Sequence, residues 1–378
     1  MKQFTSTYLS LGSNQGNRLA NIQQAIELIF EEVGNVTQVS KIYESKSWGF
    51  EGEDFINVCI EVQTNLPPLN LLRLLQYIEI QLGRTSSVEK STYENRPIDI
   101  DILWMEKEIL KTEMLQLPHP RMLQRNFVLA PLNDIASDKL IPDFELKVSE
   151  ALKQCNDQVE AIAIEAKLKL PSYPKLNYTY IALEGNIGAG KTSLATMIST
   201  DYNAKFIPER FKDNPFLPKF YKDQSRYAFP LEMSFLADRH QQLLDDISQF
   251  DLFSEFVVAD YDFYKSLIFA RVTLGEEEYG LYKKIFDIMY KDLPKPDLYI
   301  YLYQNTERLL ANIKKRGRSY EQEIEAAYLD NINKGYLNFI KSQQHLNIKV
   351  IDISDLDFVH HRKDYLYLIR QIAEVNYE

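Results

Sequence analysis

Apolar and polar positions follow two different rhythms along this chain. Over the first 155 residues the order is mixed. A strand pattern at 8–11 runs into the turn Gly12-Ser13-Asn14-Gln15-Gly16-Asn17, and a helical repeat follows through 19–32. A strand at 36–43 comes next, then strict alternation at Ile56, Val58, Ile60 and Val62. Pro67-Pro68 opens a second helix with Leu71, Leu74, Leu75, Ile78 and Leu82 on one face, and a further strand covers 98–104. With long loops at 44–54 and 84–97, this half predicts an α+β sandwich. After residue 178 strand and helix alternate. Apolar β runs recur at 180–183, 205–208, 256–259, 298–302 and 348–353, the spacing of a five-stranded parallel sheet covered on both faces. The stretch between, with Pro171, Ser172 and Pro174, reads as a linker. The predicted division is a domain over 1–158, a linker over 159–176 and a second domain over 177–378.

Composition then narrows the function. At about 150 residues per domain, 378 residues agree with two domains, and 45% hydrophobic content is enough for two cores. Two cysteines, Cys59 and Cys155, exclude a disulfide framework and fit a reducing compartment, so the cytoplasm is expected. Apolar runs fall short of the roughly 18 residues a membrane span needs. The N-terminal residues reach the Gly12 turn before a signal-peptide apolar region can form. A net charge of −11 argues against a general nucleic-acid binder, so anionic ligands must be held by local features. The expected partners are small molecules, with no nucleic acid and no membrane.

The strongest local signal is Gly185-Asn186-Ile187-Gly188-Ala189-Gly190-Lys191-Thr192, which fits G-x-x-x-x-G-K-[ST] between an apolar strand and a helical pattern. Glycines let backbone N–H groups wrap phosphates, Lys191 reaches the β/γ-phosphates, and Thr192 is the Mg²⁺ ligand. In a doubly wound sheet ligands bind beyond the carboxyl ends of the strands, so Glu209 and Asp260, each just after a β run, should enter the same crevice. Asp260 stands where a Mg²⁺-orienting acid belongs, and Glu209 where a base would accept a hydroxyl proton. The basic run Lys314-Lys315-Arg316-Gly317-Arg318 reads as a lid over a transferring phosphoryl group.

These blocks, with Leu231-Glu232-Met233, Asp238-Arg239-His240 and Ala259-Asp260-Tyr261, resemble the bacterial deoxynucleoside kinases, in particular the deoxyguanosine/deoxyadenosine branch. The resemblance implies transfer of phosphate from ATP to a deoxynucleoside 5′-hydroxyl, with Glu209 as general base and Arg316 and Arg318 in the lid. It further implies that Tyr221 and Glu321 hold the 3′-hydroxyl, that Glu232 and Arg239 meet the base and that Phe269 stacks on it. It leaves room for a homodimer through the kinase domain. Animal members carry an acid-Arg-Ser triplet where this chain has Asp260-Tyr261-Asp262. An ionised Glu232 only accepts hydrogen bonds, which favours a purine acceptor.

In the first half, Ile98, Ile100 and Ile102 share one strand face, and Asp99 and Asp101 share the other. Same-face residues lie about 6.5–7 Å apart, so the two carboxylates can converge on one or two cations, and oxygen-only ligands favour Mg²⁺. On pattern alone this is also an amphipathic strand with a wet acidic face. Arg84, Arg96, His119, Arg121 and Arg125 surround it in sequence, and Trp48, Phe55 and Phe127 offer stacking surfaces.

With Leu11-Gly12-Ser13-Asn14, Asp54-Phe55-Ile56-Asn57 and Pro118-His119-Pro120, this set resembles 6-hydroxymethyl-7,8-dihydropterin pyrophosphokinase, the folate-synthesis enzyme. The resemblance implies a ferredoxin-like fold and transfer of a diphosphate from ATP to the pterin, releasing AMP. By it, Asp99 and Asp101 bind Mg²⁺, Phe55 and Phe127 sandwich the pterin, Asn57 bonds to it, and Glu79, Arg84, Arg96, His119 and Arg125 serve ATP. Family members often have Trp-Gly-Pro where this chain has Tyr93-Glu94-Asn95. The expectation is therefore a bifunctional enzyme. The alternative is one catalytic kinase domain with the other half as a ligand-binding regulatory module.

Overall fold

In the computed structural model, which describes residues 4–48, 50–84, 94–106, 108–210, 214–248 and 254–374, the apolar runs of the first half become one antiparallel sheet. Tyr93 of the loop triplet lies outside the described residues. The chain divides into two units, 1–173 and 174–378.

The first unit runs β1 (Thr5–Ser13), α1 (Arg18–Glu32), β2 (Asn35–Val39), β3 (Ile42–Ser45), β4 (Phe55–Thr64), α2 (Pro68–Gln81) and β5 (Asp99–Met105). Two short hairpins follow, β6 (Leu110–Lys111) with β7 (Gln116–Leu117), then, after α3 (Asn126–Ala136), β8 (Leu140–Ile141) with β9 (Leu146–Lys147). Helix α4 (Val148–Gln154) and β10 (Ile162–Ile164) complete it. The sheet order is β10-β3-β4-β1-β5, with β2 also on β4. Register decides the site: Gly12 lies opposite Asn57 and Asp99, and Ser10 opposite Cys59 and Asp101. Because side chains alternate across a strand, these residues share one sheet face. On that face Tyr8 stacks on Trp104 at 4.2 Å, and Val128, Leu129 and Leu132 of α3 cover both with Cys59 and Leu103. Leu9, Leu11, Val58, Ile60, Ile100 and Ile102 are buried on the opposite face.

Three features depart from the pattern expected. The strand at 36–43 is two strands, because Ser40 leaves the ladder to bond Cys59 through its N–H (2.9 Å) and its hydroxyl (3.0 Å). Part of the stretch read as linker, Ile162–Ile164, pairs with β3. Helices α3 and α4 were not expected, since Pro131 sits inside one and the other spans only seven residues.

The second unit runs β11 (Tyr180–Gly185), α5 (Lys191–Asp201), β12 (Lys205–Ile207), α6 (Leu217–Phe220), α7 (Gln224–Ser248), β13 (Val257–Ala259), α8 (Tyr264–Thr273) and α9 (Glu276–Met289). It continues through β14 (Leu298–Tyr303), α10 (Thr306–Arg316), α11 (Ala326–Ser342), β15 (Ile348–Asp352) and α12 (Arg362–Ala373). Each expected β run is a strand of one parallel sheet, ordered β12-β13-β11-β14-β15. Every residue of β11 is buried, as a central strand covered on both faces requires. Among the described residues no helix is long and apolar enough to cross a membrane.

Candidate active sites

The carboxylates of β5 are met by guanidinium groups. Asp99 Oδ1 accepts from Arg84 Nη1 at 2.8 Å and lies 2.9 Å from Arg96 Nη1, while Asp101 Oδ2 lies 3.5 Å from Arg125 Nη1. Glu79, buried on α2, pairs with Arg84 and accepts the Ile100 N–H at 2.8 Å. Burial raises its carboxyl to about 7, with Arg84 opposing and the two aspartates adding to the rise. Asp101 is pushed up to about 6 by the surrounding protein and by Asp99, against the pull of Arg125, Arg96 and Arg84, although its side chain is 36% exposed. Charge is crowded here, and the arginines do not fully relieve it.

Beside these acids opens a cleft of about 530 Å³ lined by Trp48, Phe55, Asn57, Arg96, Arg125 and Phe127. Asn57 is buried and donates to Ser45 Oγ at 2.9 Å. Gly12 makes room for it, since a Cβ there would stand 3.3 Å from Asn57 Oδ1 and 3.5 Å from the Phe55 ring. The Arg125 guanidinium lies over Trp48 at 5.2 Å and Phe127 at 5.7 Å. Asn14 ties the neighbouring loops together, accepting from Arg96 N–H at 2.7 Å and donating to Asn95 Oδ1 at 2.6 Å. His119 lines an adjoining groove with Ile100, Asp101, Thr112 and Leu115. Burial, then Arg125 and Arg121, lower its pKa to about 4, so its imidazole is neutral at pH 7.

In the second unit β11 ends at Gly185 and the loop turns into α5. Gly188 and Gly190 have φ of +87° and +84°, and a Cβ on Gly190 would lie 2.8 Å from the Phe358 ring. Lys191 Nζ donates to the Gly185 carbonyl at 2.8 Å and to that of Asn186 at 3.0 Å. Burial and the nearby Lys265 lower its pKa to about 8. Asn186 turns away from the cleft and braces the loop on α11, donating to Leu329 O and Asn333 Oδ1 at 2.8 Å each. Thr192 donates to Asp260 Oδ2, so the Asp260 carboxylate faces the loop, and Asp260 Oδ1 accepts the Glu209 backbone N–H at 2.6 Å, which ties the two strand ends together.

Glu209, its side chain 11% exposed, lies between two cations. Its Oε1 accepts from Arg239 Nη2 at 2.8 Å and Nε at 3.1 Å, and its Oε2 from Lys265 Nζ at 2.5 Å. Burial alone would raise this carboxyl, but Lys265 and Arg239 hold it at about 2. The cleft around it, of about 810 Å³, is lined also by Tyr221, Glu232, Phe269, Tyr328, Arg316, Arg318 and Glu321. Glu232 accepts from Thr273 Oγ1 at 3.0 Å, and burial pushes its carboxyl up to about 7 despite Arg239, so it is not the fully ionised, acceptor-only group expected from the sequence. Glu321 accepts from Arg318 Nη1 at 3.2 Å and from Arg316, so the basic run is folded onto an acid at the rim of the cleft. A second groove on the other side of Lys191 and Thr192 is lined by Arg308, Asn312, Lys315, Arg316 and Phe358.

Each unit thus gathers its expected residues, apart from the Asn186 side chain. Sequence reasoning missed Ser45, Lys46 and Thr112, which carry no pattern of their own. It gave no role to Lys265, which it met only as the start of a block resembling the kinases, and it missed Arg308 and Asn312; these two recur with Lys315 and Arg316 at i, i+4, i+7 and i+8, a spacing that marks one face of α10.

Residues 8–137 match the family model for 7,8-dihydro-6-hydroxymethylpterin-pyrophosphokinase, and residues 181–376 match that for deoxynucleoside kinase. Over 131 residues the chain is 42% identical to 2-amino-4-hydroxy-6-hydroxymethyldihydropteridine pyrophosphokinase of Porphyromonas gingivalis, covering 34% of this chain and 89% of that one. It is 40% identical over 200 residues to deoxyguanosine kinase of Bacillus subtilis, covering 52% of this chain and 97% of that enzyme. Against deoxyadenosine kinase of Dictyostelium discoideum it is 34% identical over 189 residues, 49% of this chain and 75% of that one. The aspartate strand with its arginines and the phosphate loop with its flanking acids each have their own relatives, and the chain belongs to both families, a pterin pyrophosphokinase unit followed by a deoxynucleoside kinase unit.

Proposed function

We propose that the first unit transfers the terminal diphosphate of ATP to the hydroxymethyl group of 6-hydroxymethyl-7,8-dihydropterin, and that the second phosphorylates the 5′-hydroxyl of a purine deoxynucleoside. The observation that carries this reading is the same in both units: an aromatic-walled cleft opens directly onto carboxylates and cations fit to manage a polyphosphate.

In the first unit Phe55 and Phe127 stack on the pterin and Asn57 bonds to its edge. Neutral His119, with Arg84, Arg96 and Arg125, takes the triphosphate. The pterin hydroxyl oxygen bonds to the β-phosphorus and gives up its proton to solvent, the bond from the β-phosphorus to the α-phosphate oxygen breaks, and AMP leaves. Asp99 and Asp101 fit Mg²⁺: both donors are oxygen, and their crowded charge favours a cation. Among the described residues no group of three or more acids, histidines or cysteines forms a metal cluster, so this pair would share the ion with ATP and water. Bound Mg²⁺ would neutralise phosphate charge. The sheet and its helices fit a ferredoxin-like fold.

In the second unit the loop amides and Lys191 cradle ATP, and Thr192 with Asp260 would hold its Mg²⁺. Phe269 stacks on the base, Glu232 and Arg239 read its edge, and Tyr221 and Glu321 take the 3′-hydroxyl. The 5′-oxygen bonds to the γ-phosphorus, ADP leaves, and Glu209 receives the hydroxyl proton. Arg316 and Arg318 exchange Glu321 for the transferring group. Relatives named for deoxyguanosine and deoxyadenosine support a purine acceptor. A homodimer through the kinase unit and a cytoplasmic location belong to the same reading, the latter fitting two unpaired cysteines.

Product analysis tests it: AMP should form with the pterin and ADP with a deoxynucleoside. Glu209→Gln should lower kcat for the second reaction by about 10²–10⁴, the range for loss of a general base, and leave AMP formation intact. A unit that binds its acceptor but forms no product would be a regulatory module instead. A kcat/KM for thymidine above both purines would overturn the acceptor assignment.

A further inference from the structure

The end of β13 provides no cation to the acid that faces the acceptor. Asp260 points at the phosphate loop, Tyr261 is wholly buried in the core with its hydroxyl unpartnered, and Asp262 accepts the Tyr264 N–H at 2.9 Å at the start of α8. The cation comes instead from the first turn of α8, where Lys265 turns back to place Nζ 2.5 Å from Glu209 Oε2. Its side chain is 8% exposed, it lines the acceptor cleft, and its ammonium lies 5.5 Å from the Phe269 ring centre.

Burying a lysine is costly unless a partner offsets it, so the simplest role is to neutralise Glu209. That role is already filled. Arg239 gives Oε1 two hydrogen bonds and is itself fixed by Ser266 Oγ at 2.7 Å. Lys191 and Lys265 also face the buried Glu184, and Lys191 faces Asp260, so the cations here belong to one charge cluster beside the cleft where phosphate must arrive, and Glu209 is not left to Lys265 alone. Among the described residues Glu209 is the one hydrogen-bond acceptor of the Lys265 ammonium, which leaves two of its N–H donors uncommitted.

We propose that Lys265 is a positioning residue for phosphoryl transfer: it pins Glu209 Oε2 so that this carboxylate, held on its other oxygen by Arg239, points at the acceptor 5′-hydroxyl. The inference rests on Glu209 being the proton acceptor. Without the ammonium, Glu209 pivots about its Arg239 contact, and the acceptor still binds through the far end of the cleft. The loss therefore falls on turnover.

Steady-state kinetics on the full chain with deoxyguanosine and deoxyadenosine test this. Lys265→Met should lower kcat about 10–100-fold, the value of a charge-assisted hydrogen bond, with nucleoside KM changed less than about threefold. Lys265→Arg should recover most of the loss. In a Glu209→Gln background Lys265→Met should cost little more, because it acts through the missing carboxylate. The thermal unfolding midpoint of the kinase unit reports its folding in each sample, and AMP formation from the pterin measures only the amount of chain. If Lys265→Met does not fold, Lys265→Gln, which keeps a neutral donor of similar size, should show a smaller loss of the same kind. A loss confined to KM, equal losses for Met and Arg, or full additivity with Glu209→Gln would overturn the proposal. Wild-type turnover for Glu209→Gln itself would instead overturn the reading beneath it.

Discussion

Glu232 is a carboxyl group that the fold surrounds with few donors: Thr273 offers one hydrogen bond, and Arg239, already engaged with Glu209, acts only at a distance. Its pKa of about 7 lies above the ordinary carboxylate value of 4.5, so between those limits the folded chain holds a proton that the unfolded chain has released. Stability of the ligand-free kinase unit should fall as pH rises through that window. Glu232→Gln should then stabilise the unit by on the order of 1–3 kcal/mol at pH 8 and far less at pH 4. Thermal midpoints at the two pH values check this, and a gain that does not grow with pH would count against it. At Asp99 and Asp101 the expected change is catalytic. Either Asp→Asn variant keeps the shape but removes the charge proposed to hold Mg²⁺, so AMP formation should collapse while ADP formation stays near normal. Retention of most AMP-forming activity in both variants would sink the metal assignment.

At the scale of elements, two close approaches set the sites. The turn from β11 into α5 needs Gly190, where φ is +84° and the Phe358 ring leaves no space for a methyl group. Gly190→Ala should therefore abolish tight ATP binding by the kinase unit, seen as a KM for ATP raised at least about tenfold, since left-handed strain and displaced amides each cost on the order of 1 kcal/mol or more. In β1, Gly12 faces Asn57 and Phe55, and Gly12→Ala should raise the pterin KM while ATP binding changes little. Both elements were legible because strand, glycine turn and helix are consecutive in sequence, and a local pattern needs no partner to be recognised. Helix α10 was half legible. Its basic end stood out, but the pairing of Arg316 and Arg318 with Glu321, an acid expected at the sugar, did not.

For the whole molecule, two units with separate cores predict separable activities. A fragment ending at residue 173 should keep AMP formation, and one beginning at 174 should keep ADP formation. A fragment ending at 158 should be less stable than one ending at 173. It loses β10, uncovering the edge of β3, and it loses the Val159 carbonyl that accepts from Asn126 Nδ2 at 3.1 Å. Equal unfolding midpoints for the two would mean that the β3–β10 pairing contributes nothing.

Periodicity in the sequence determined α1, α2, most strands of the first sheet and all five strands of the second, that the chain has a mixed half and a parallel half, and where the phosphate loop lies. Those features arise from neighbours a few residues apart, and alternation of two or 3.6 residues records them directly. Resemblance over whole blocks added the two chemistries. Tertiary structure alone decided what no local pattern encodes. The strand at 36–43 breaks because Ser40 meets Cys59, and Ile162–Ile164 joins the sheet because β3 presents an unpaired edge. Glu209 sits between Arg239 and Lys265, 30 and 56 residues away in sequence, because α7 and α8 both reach the ends of β12 and β13. The protonation of Glu209 and Glu232 is likewise set by burial and by charges brought from other elements, which depend on the fold and not on spacing along the chain.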